Sequence, residues 1–241
     1  MCNYYSRIRG LEYVQLTLGI GYRTLSNYAP HVVVRPTHTE LVARLRPDGQ
    51  RELVEMRWGL VPLWATDVKS AGYTMTNARA EEILAKKSYR PPFEQGRRCL
   101  VPADGYIEST GPTGRKTHHF FHRPDNDLLV MAGIWEAWPG PRSEPLTEPL
   151  LSYTICTHSP NQFAAQWHDR MPAVLTKEQQ AMWLDPDAAP ADLIEMLKQP
   201  VPEDLLTMTV ADPDILRLKV QPTVDMLYRR KLTTDPAPSL L

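Results

Sequence analysis

The hydrophobic positions predict a run of strands through the middle of the chain and a few helices late in it. Val54, Met56 and Trp58 alternate with Leu53, Glu55 and Arg57, which puts the two sets on opposite faces of one strand. Asp48-Gly49 is a hairpin turn signal joining that run to Leu41–Leu45. Val32-Val33-Val34, between Pro30 and Pro36, reads as a short β-branched strand. Tyr73–Thr76 reads as another. Arg97–Pro102 and Gly105–Glu108 read as strand, turn, strand. His118–His122 and Leu128–Trp138 flank the turn Pro124-Asp125-Asn126-Asp127, and Leu150–Thr157 follows as a further strand. Leu11–Leu18 fits either a strand or a short helix.

Helix signals are fewer. Asn77 stands at an N-cap position, with Glu81 and Glu82 early, Lys86 and Lys87 late, and Pro91-Pro92 as a stop. After a loop from Ser159 to Met171, Thr176-Lys177-Glu178-Gln179 is a capping box opening a helix through Trp183. Pro190–Lys198 is a second short helix, with Pro190 near its first position. The expectation is one α+β domain over residues 1–231, with a largely antiparallel, barrel-like curled sheet and a few peripheral helices. The Pro-containing segment 232–241 is expected to be a loose tail.

Composition narrows the function classes. With 42% hydrophobic and 23% charged residues, the 241-residue chain reads as an ordinary soluble globular protein. Its 23 prolines are spread out, as in a protein rich in turns. A net charge of −1 gives no global basic field, so any nucleic-acid binding needs a local patch. Cys2, Cys99 and Cys156 are an odd set without a C-x-x-C pair. That argues against a disulfide framework or zinc knuckle and fits a cytoplasmic setting. No apolar run reaches membrane-spanning length, and polar residues interrupt Leu11–Leu16, so neither a membrane segment nor a signal peptide is expected.

Cys2 stands out chemically. If Met1 is removed, Cys2 carries an α-amine with a pKa of about 7.7–8.0 beside a thiol near 8.5. An amine alone gives a reversible Schiff base with an aldehyde. A 1,2-aminothiol goes on to close a five-membered thiazolidine. The plain alternative is a small residue after the start methionine. Glu108, at a strand end after a Gly turn, is either solvated or a general acid/base. His168, between Trp167 and Asp169-Arg170, is either structural or an acid/base. Asn77 is a plain cap or an amide aimed at a ligand. Trp58 and Trp64 are core residues or base-stacking platforms. His118-His119-x-x-His122 has a metal-like look, but strand alternation puts His119 on the other face, so no metal is expected. Arg79, Lys86, Lys87, Arg90, Arg97 and Arg98 form a local basic bias that suits a solvated face or a phosphate patch.

Several motifs in order carry a family resemblance: Met1-Cys2, Trp58-Gly59-Leu60-Val61-Pro62, Thr76-Asn77-Ala78-Arg79-Ala80-Glu81, Arg98–Glu108, Met131-Ala132-Gly133-Ile134-Trp135 and His168-Asp169-Arg170-Met171-Pro172. Over roughly residues 1–185 the chain resembles the SRAP (SOS-response-associated peptidase) family of abasic-site processing proteins. The resemblance implies a monomer, without cofactor, acting on abasic sites in single-stranded DNA. It implies a thiazolidine crosslink from Cys2, with Asn77, Glu108 and His168 catalytic and a secondary lyase activity open. Arg79 and Arg170 match phosphate contacts, and Trp58 and Trp64 match base-stacking or wedging positions. The implied location is cytoplasmic, on the nucleoid when bound to DNA. Two other functions stay open: a cysteine peptidase, limited at its narrowest to removing Met1, and a non-catalytic single-strand-binding module. Asn3 and Tyr4 replace the family's usual Gly-Arg, and Ser109 replaces the usual Trp after Glu108. Asn27-Tyr28-Ala29-Pro30 matches the family's Asn-x-Ala-Pro loop only loosely.

Overall fold

Two sheets share most of the buried side chains, and their seam positions the site. The computed structural model describes residues 3–21, 29–71, 75–228 and 230–231. Met1, Cys2, the Asn27-Tyr28 part of the Asn-Tyr-Ala-Pro loop, Tyr73 and Thr74 of one expected strand, and the expected tail 232–241 lie outside the described residues.

In chain order the elements are β1 (Tyr5–Arg7), α1 (Leu11–Leu18), β2 (His31–Val34), β3 (Thr39–Leu45), β4 (Arg51–Trp58), α2 (Val68–Ala71) and β5 (Asn77–Arg79). There follow α3 (Arg90–Glu94), β6 (Arg98–Ala103), β7 (Gly105–Thr110), β8 (Thr117–His122), β9 (Leu129–Trp138) and β10 (Leu150–His158). The last are α4 (Gln162–Ala165), β11 (Met171–Pro172), α5 (Lys177–Leu184), α6 (Pro190–Lys198), β12 (Thr207–Val210) and β13 (Arg230–Lys231).

Strands β10, β4, β3, β6 and β9 pair in that order, and β9 pairs back to β10, closing a five-stranded barrel. Four of the five seams are antiparallel, while β10 runs parallel to β4 and also to the added β5. The second sheet has the order β13-β12-β8-β7-β1-β2. This is the expected α+β class with a barrel-like core and few helices. One buried cluster draws Val42, Trp58, Val101 and Tyr153 from the barrel and Tyr5, Tyr106 and Phe121 from the second sheet. A second cluster seats the helices on the barrel wall, with Phe93, Trp183 and Leu193 against Leu100 and Ile134.

Several sequence readings carry over with their chemistry. Thr176 and Gln179 form the reciprocal capping box of α5, and α6 starts on Pro190. The Asp48-Gly49 turn joins β3 to β4 in a seven-pair register. Leu11–Leu18 resolves as a helix, closed by Gly19 at φ 65°.

Two readings need correcting. Asn77 is a strand residue opposite Ile155 of β10, not a helix cap, and only a short 3-10 turn at Ala80–Glu82 follows. Pro91-Pro92 opens α3 rather than ending a helix, because the first helical turn needs no proline N–H. Gly105 starts β7 where a side chain would collide with the Phe121 carbonyl and the Phe120 ring. Only glycine lets β7 and β8 approach this closely.

Candidate active site at the edge of β7

Strand β1 covers the beginning of β7 and leaves its end open. Tyr5 stands opposite Tyr106, and the Ile107 N–H donates to the Tyr4 carbonyl. Beyond that point Asn3, Tyr4, Glu108, Ser109, Lys116 and His168 line a polar pocket of about 240 Å³. Glu108 therefore sits at the edge of a sheet, at the end of the N-terminal strand. It is only 6% exposed. Burial, reinforced by the negative charge of Asp169, pushes its carboxyl up to about 7. A carboxyl so placed exchanges a proton near neutral pH, as an acid/base catalyst must.

His168 follows α4, whose N-cap Asn161 accepts from the Ala164 N–H. Its Nδ1 accepts the Arg170 backbone N–H at 3.0 Å and lies 2.8 Å from Asp169 Oδ1. The first contact suits the neutral ring and the second the protonated one. Burial lowers the ring's proton affinity and favours the neutral form.

The other sequence candidates divide. Asn77 is 8% exposed, donates from Nδ2 to Thr76 Oγ1 and takes a hydrogen bond from Tyr89 on its carbonyl. It is not among the described residues lining the pocket. Arg170 is 8% exposed and is spent within the fold: its guanidinium makes a two-armed pair with Glu81 at 2.5 and 3.0 Å and donates to the Thr157 carbonyl. That fork ties the His168 loop to the segment after β5 and leaves Arg170 poorly placed to meet a phosphate. Trp58 is fully buried, donates its indole N–H to the Thr76 carbonyl and packs edge-on against Tyr5. It is a packing residue here. Trp64 is 46% exposed, with Lys87 Nζ 4.3 Å from its ring centroid. Arg79 is half-exposed beside Glu82. Arg98 leaves the expected basic patch: it is buried and donates to the Trp183 and Asp185 carbonyls at the end of α5.

Lys116, and the pairing of Ser109 with His118, escaped the sequence reading. The signal available was the β7–β8 hairpin spacing, which sets Glu108 opposite His119 and Ser109 opposite His118. The His118-His119-x-x-His122 pattern is spent on such contacts, with Ser109 and Thr110 hydroxyls each 2.8 Å from a ring nitrogen. Among the described residues no three His, Cys, Asp or Glu side chains gather to hold a metal ion. Nor is any helix among them long and apolar enough to cross a membrane.

The family model for SOS response associated peptidase (SRAP) matches residues 1–216. This chain belongs to the SRAP family. The SRAP chain is 36% identical over 179 residues to the abasic site processing protein YoqW of Bacillus subtilis (strain 168), covering 73% of this chain and 76% of that relative. It is 35% identical over 158 residues to the abasic site processing protein HMCES of Gallus gallus, covering 57% of this chain and 46% of that longer protein. In three dimensions it resembles a protein of Bacteroides thetaiotaomicron with a TM-score of 0.78 at 24% identity, over 93% of this chain and 99% of the other. That likeness establishes the fold alone.

Proposed function

We propose that this SRAP protein processes abasic sites in single-stranded DNA by covalent capture. Once Met1 is gone, the Cys2 amine attacks C1′ of the ring-opened sugar. Water leaves and an imine forms. The Cys2 sulfur then adds to the imine carbon, its proton passes to nitrogen, and a thiazolidine ring closes. The observation that carries this reading is the pocket shared by Asn3, Glu108 and His168. Cys2 is the covalent neighbour of Asn3, one Cα step of about 3.8 Å from a residue of the pocket wall. The names of the curated relatives point to the same class of substrate.

In this reading Glu108 supplies the proton that lets the carbinolamine oxygen leave as water. Its carboxyl, at about 7, is matched to that task at neutral pH. His168, held neutral by burial, takes the proton the amine sheds on addition. Asn77 orients the N-terminal residue or the sugar. Arg79 and Lys116 meet phosphates, and Trp64 stacks on a flanking base. Arg170 acts through the Glu81 fork, and Trp58 through packing. An imine that escapes ring closure permits β-elimination, which gives a secondary lyase activity. A peptidase reading is favoured only by the family's description and needs no more than removal of Met1.

The test is a denaturing gel of mature protein mixed with single-stranded DNA carrying one abasic site. A heat-stable adduct is expected, and Cys2→Ser is expected to keep only reversible imine or lyase chemistry. Replacing Glu108 by Gln should slow capture by about 10²–10⁴-fold. An adduct undiminished in Cys2→Ala would refute the reading.

A further inference from the structure

His168 Nδ1 stands between two groups that make opposite demands on it. The Arg170 backbone N–H donates to it at 3.0 Å, and Asp169 Oδ1 lies 2.8 Å away. An N–H donor needs the lone pair on Nδ1, which puts the proton of a neutral ring on Nε2. A carboxylate oxygen only accepts, so it needs the proton on Nδ1 and leaves the lone pair on Nε2. Both distances hold in one ring orientation, so the two tautomers exchange without moving a side chain.

The donor side is fixed. Arg170 is buried, its guanidinium forks onto Glu81 at 2.5 and 3.0 Å, and it donates to the Thr157 carbonyl. The acceptor side is adjustable. The Asp169 side chain is 86% exposed, so its carboxylate meets Nδ1 without a desolvation cost. The tautomer decides what His168 does in the pocket it lines with Glu108. With the proton on Nε2, that nitrogen of the neutral ring is only a donor. With the proton on Nδ1, Nε2 is a base.

We propose that Asp169 is the positioning residue that makes His168 a base, by holding the ring's proton on Nδ1. This rests on the covalent-capture reading above and deepens it. Addition of the Cys2 amine to C1′ leaves an extra proton on nitrogen and an alkoxide at O1′, both on the same carbon. The lone pair of His168 Nε2 takes that proton, and the electrons of the broken N–H bond stay on the amine nitrogen. The ring is then an imidazolium whose Nδ1–H faces the Asp169 carboxylate. Passing the Nε2 proton to the O1′ alkoxide restores the neutral ring and leaves the neutral carbinolamine. An orienting carboxylate behind a basic imidazole has the same logic in acyl transfer.

Asp169 has a second route to the chemistry, because its negative charge also helps to push the Glu108 carboxyl up. Two measurements separate the routes. The first is 15N NMR of the mature protein with labelled histidine rings and no DNA. The neutral His168 ring is expected to carry an Nδ1–H population that Asp169→Asn moves to Nε2–H and Asp169→Glu largely keeps. The second is single-turnover capture of abasic single-stranded DNA. Asp169→Asn is expected to slow capture by about 10-fold or more, both alone and in a Glu108→Gln background. In a His168→Gln background it should change the rate by no more than about 2-fold. A loss that persists in His168→Gln and vanishes in Glu108→Gln assigns Asp169 to Glu108 and overturns the proposal. A His168 ring that is wholly Nε2–H in the unsubstituted protein, or unmoved by Asp169→Asn, overturns it too. No adduct from the unsubstituted protein overturns covalent capture itself, while the tautomer measurement still judges Asp169.

Discussion

Glu108 concentrates the chemistry and carries a cost in stability. Its folded carboxyl titrates at about 7, against about 4.3 in an unfolded chain. Below about pH 4.3 it is protonated in both states and has no effect. Between about pH 4.3 and 7 the unfolded chain loses the proton that the folded one keeps, so stability falls as pH rises. Above about pH 7 the cost levels off at about 4 kcal/mol. Glu108→Gln is therefore expected to raise the melting temperature at pH 8 and leave it nearly unchanged at pH 4.5, while slowing capture. Equal shifts at the two pH values would contradict the burial of an ionisable carboxyl. Glu108 and His168 were legible in the sequence because each lies in a local motif. The inward face of Trp58 was legible too, since it alternates in phase with Met56, and both are buried. Trp64 has no such phase and proves exposed. The Ser109–His118 pair was not legible, because it depends on the pairing register of two strands.

Strand β1 follows directly on Asn3 and Tyr4, which line the pocket, and it is held from below. Arg7 and Glu40 form a buried pair at 2.5 Å, with His31 on the other Glu40 oxygen. The Tyr5 hydroxyl meets that of Tyr153 at 2.6 Å. Glu40→Ala leaves the Arg7 charge buried without its carboxylate and should cost about 3–5 kcal/mol, read from urea unfolding. Capture should slow with it as β1 loosens. A loss of stability with an unaltered capture rate would detach β1 from the site. The same scale explains the misread of Asn77. Its local sequence offers a cap, but its backbone pairs with Ile155, far along the chain, and non-local pairing outweighs a local propensity. Capping signals whose partners lie within four residues, as at Thr176, were read correctly.

At the scale of the whole molecule, a net charge of −1 leaves DNA attraction to local cations. Arg98 and Arg170 are committed inside the fold, and in the covalent-capture proposal half-exposed Arg79 and pocket-lining Lys116 are the cations that would meet phosphate. Arg79→Ala should reduce the slope of log affinity against log salt for single-stranded DNA by about 0.7. An unchanged slope would remove Arg79 from the interface. The closed barrel was legible only as a curled sheet, since the β9–β10 closure and the parallel β10–β4 seam join segments that carry no local sign of each other. The most direct measurement is the intact mass of the complex formed with abasic single-stranded DNA, taken after denaturation and without a reducing agent. The expected mass is the chain lacking Met1, plus the DNA, less one water, and it should vanish in Cys2→Ala. A mass that is absent, that retains Met1, or that persists in Cys2→Ala would contradict capture by the N-terminal aminothiol.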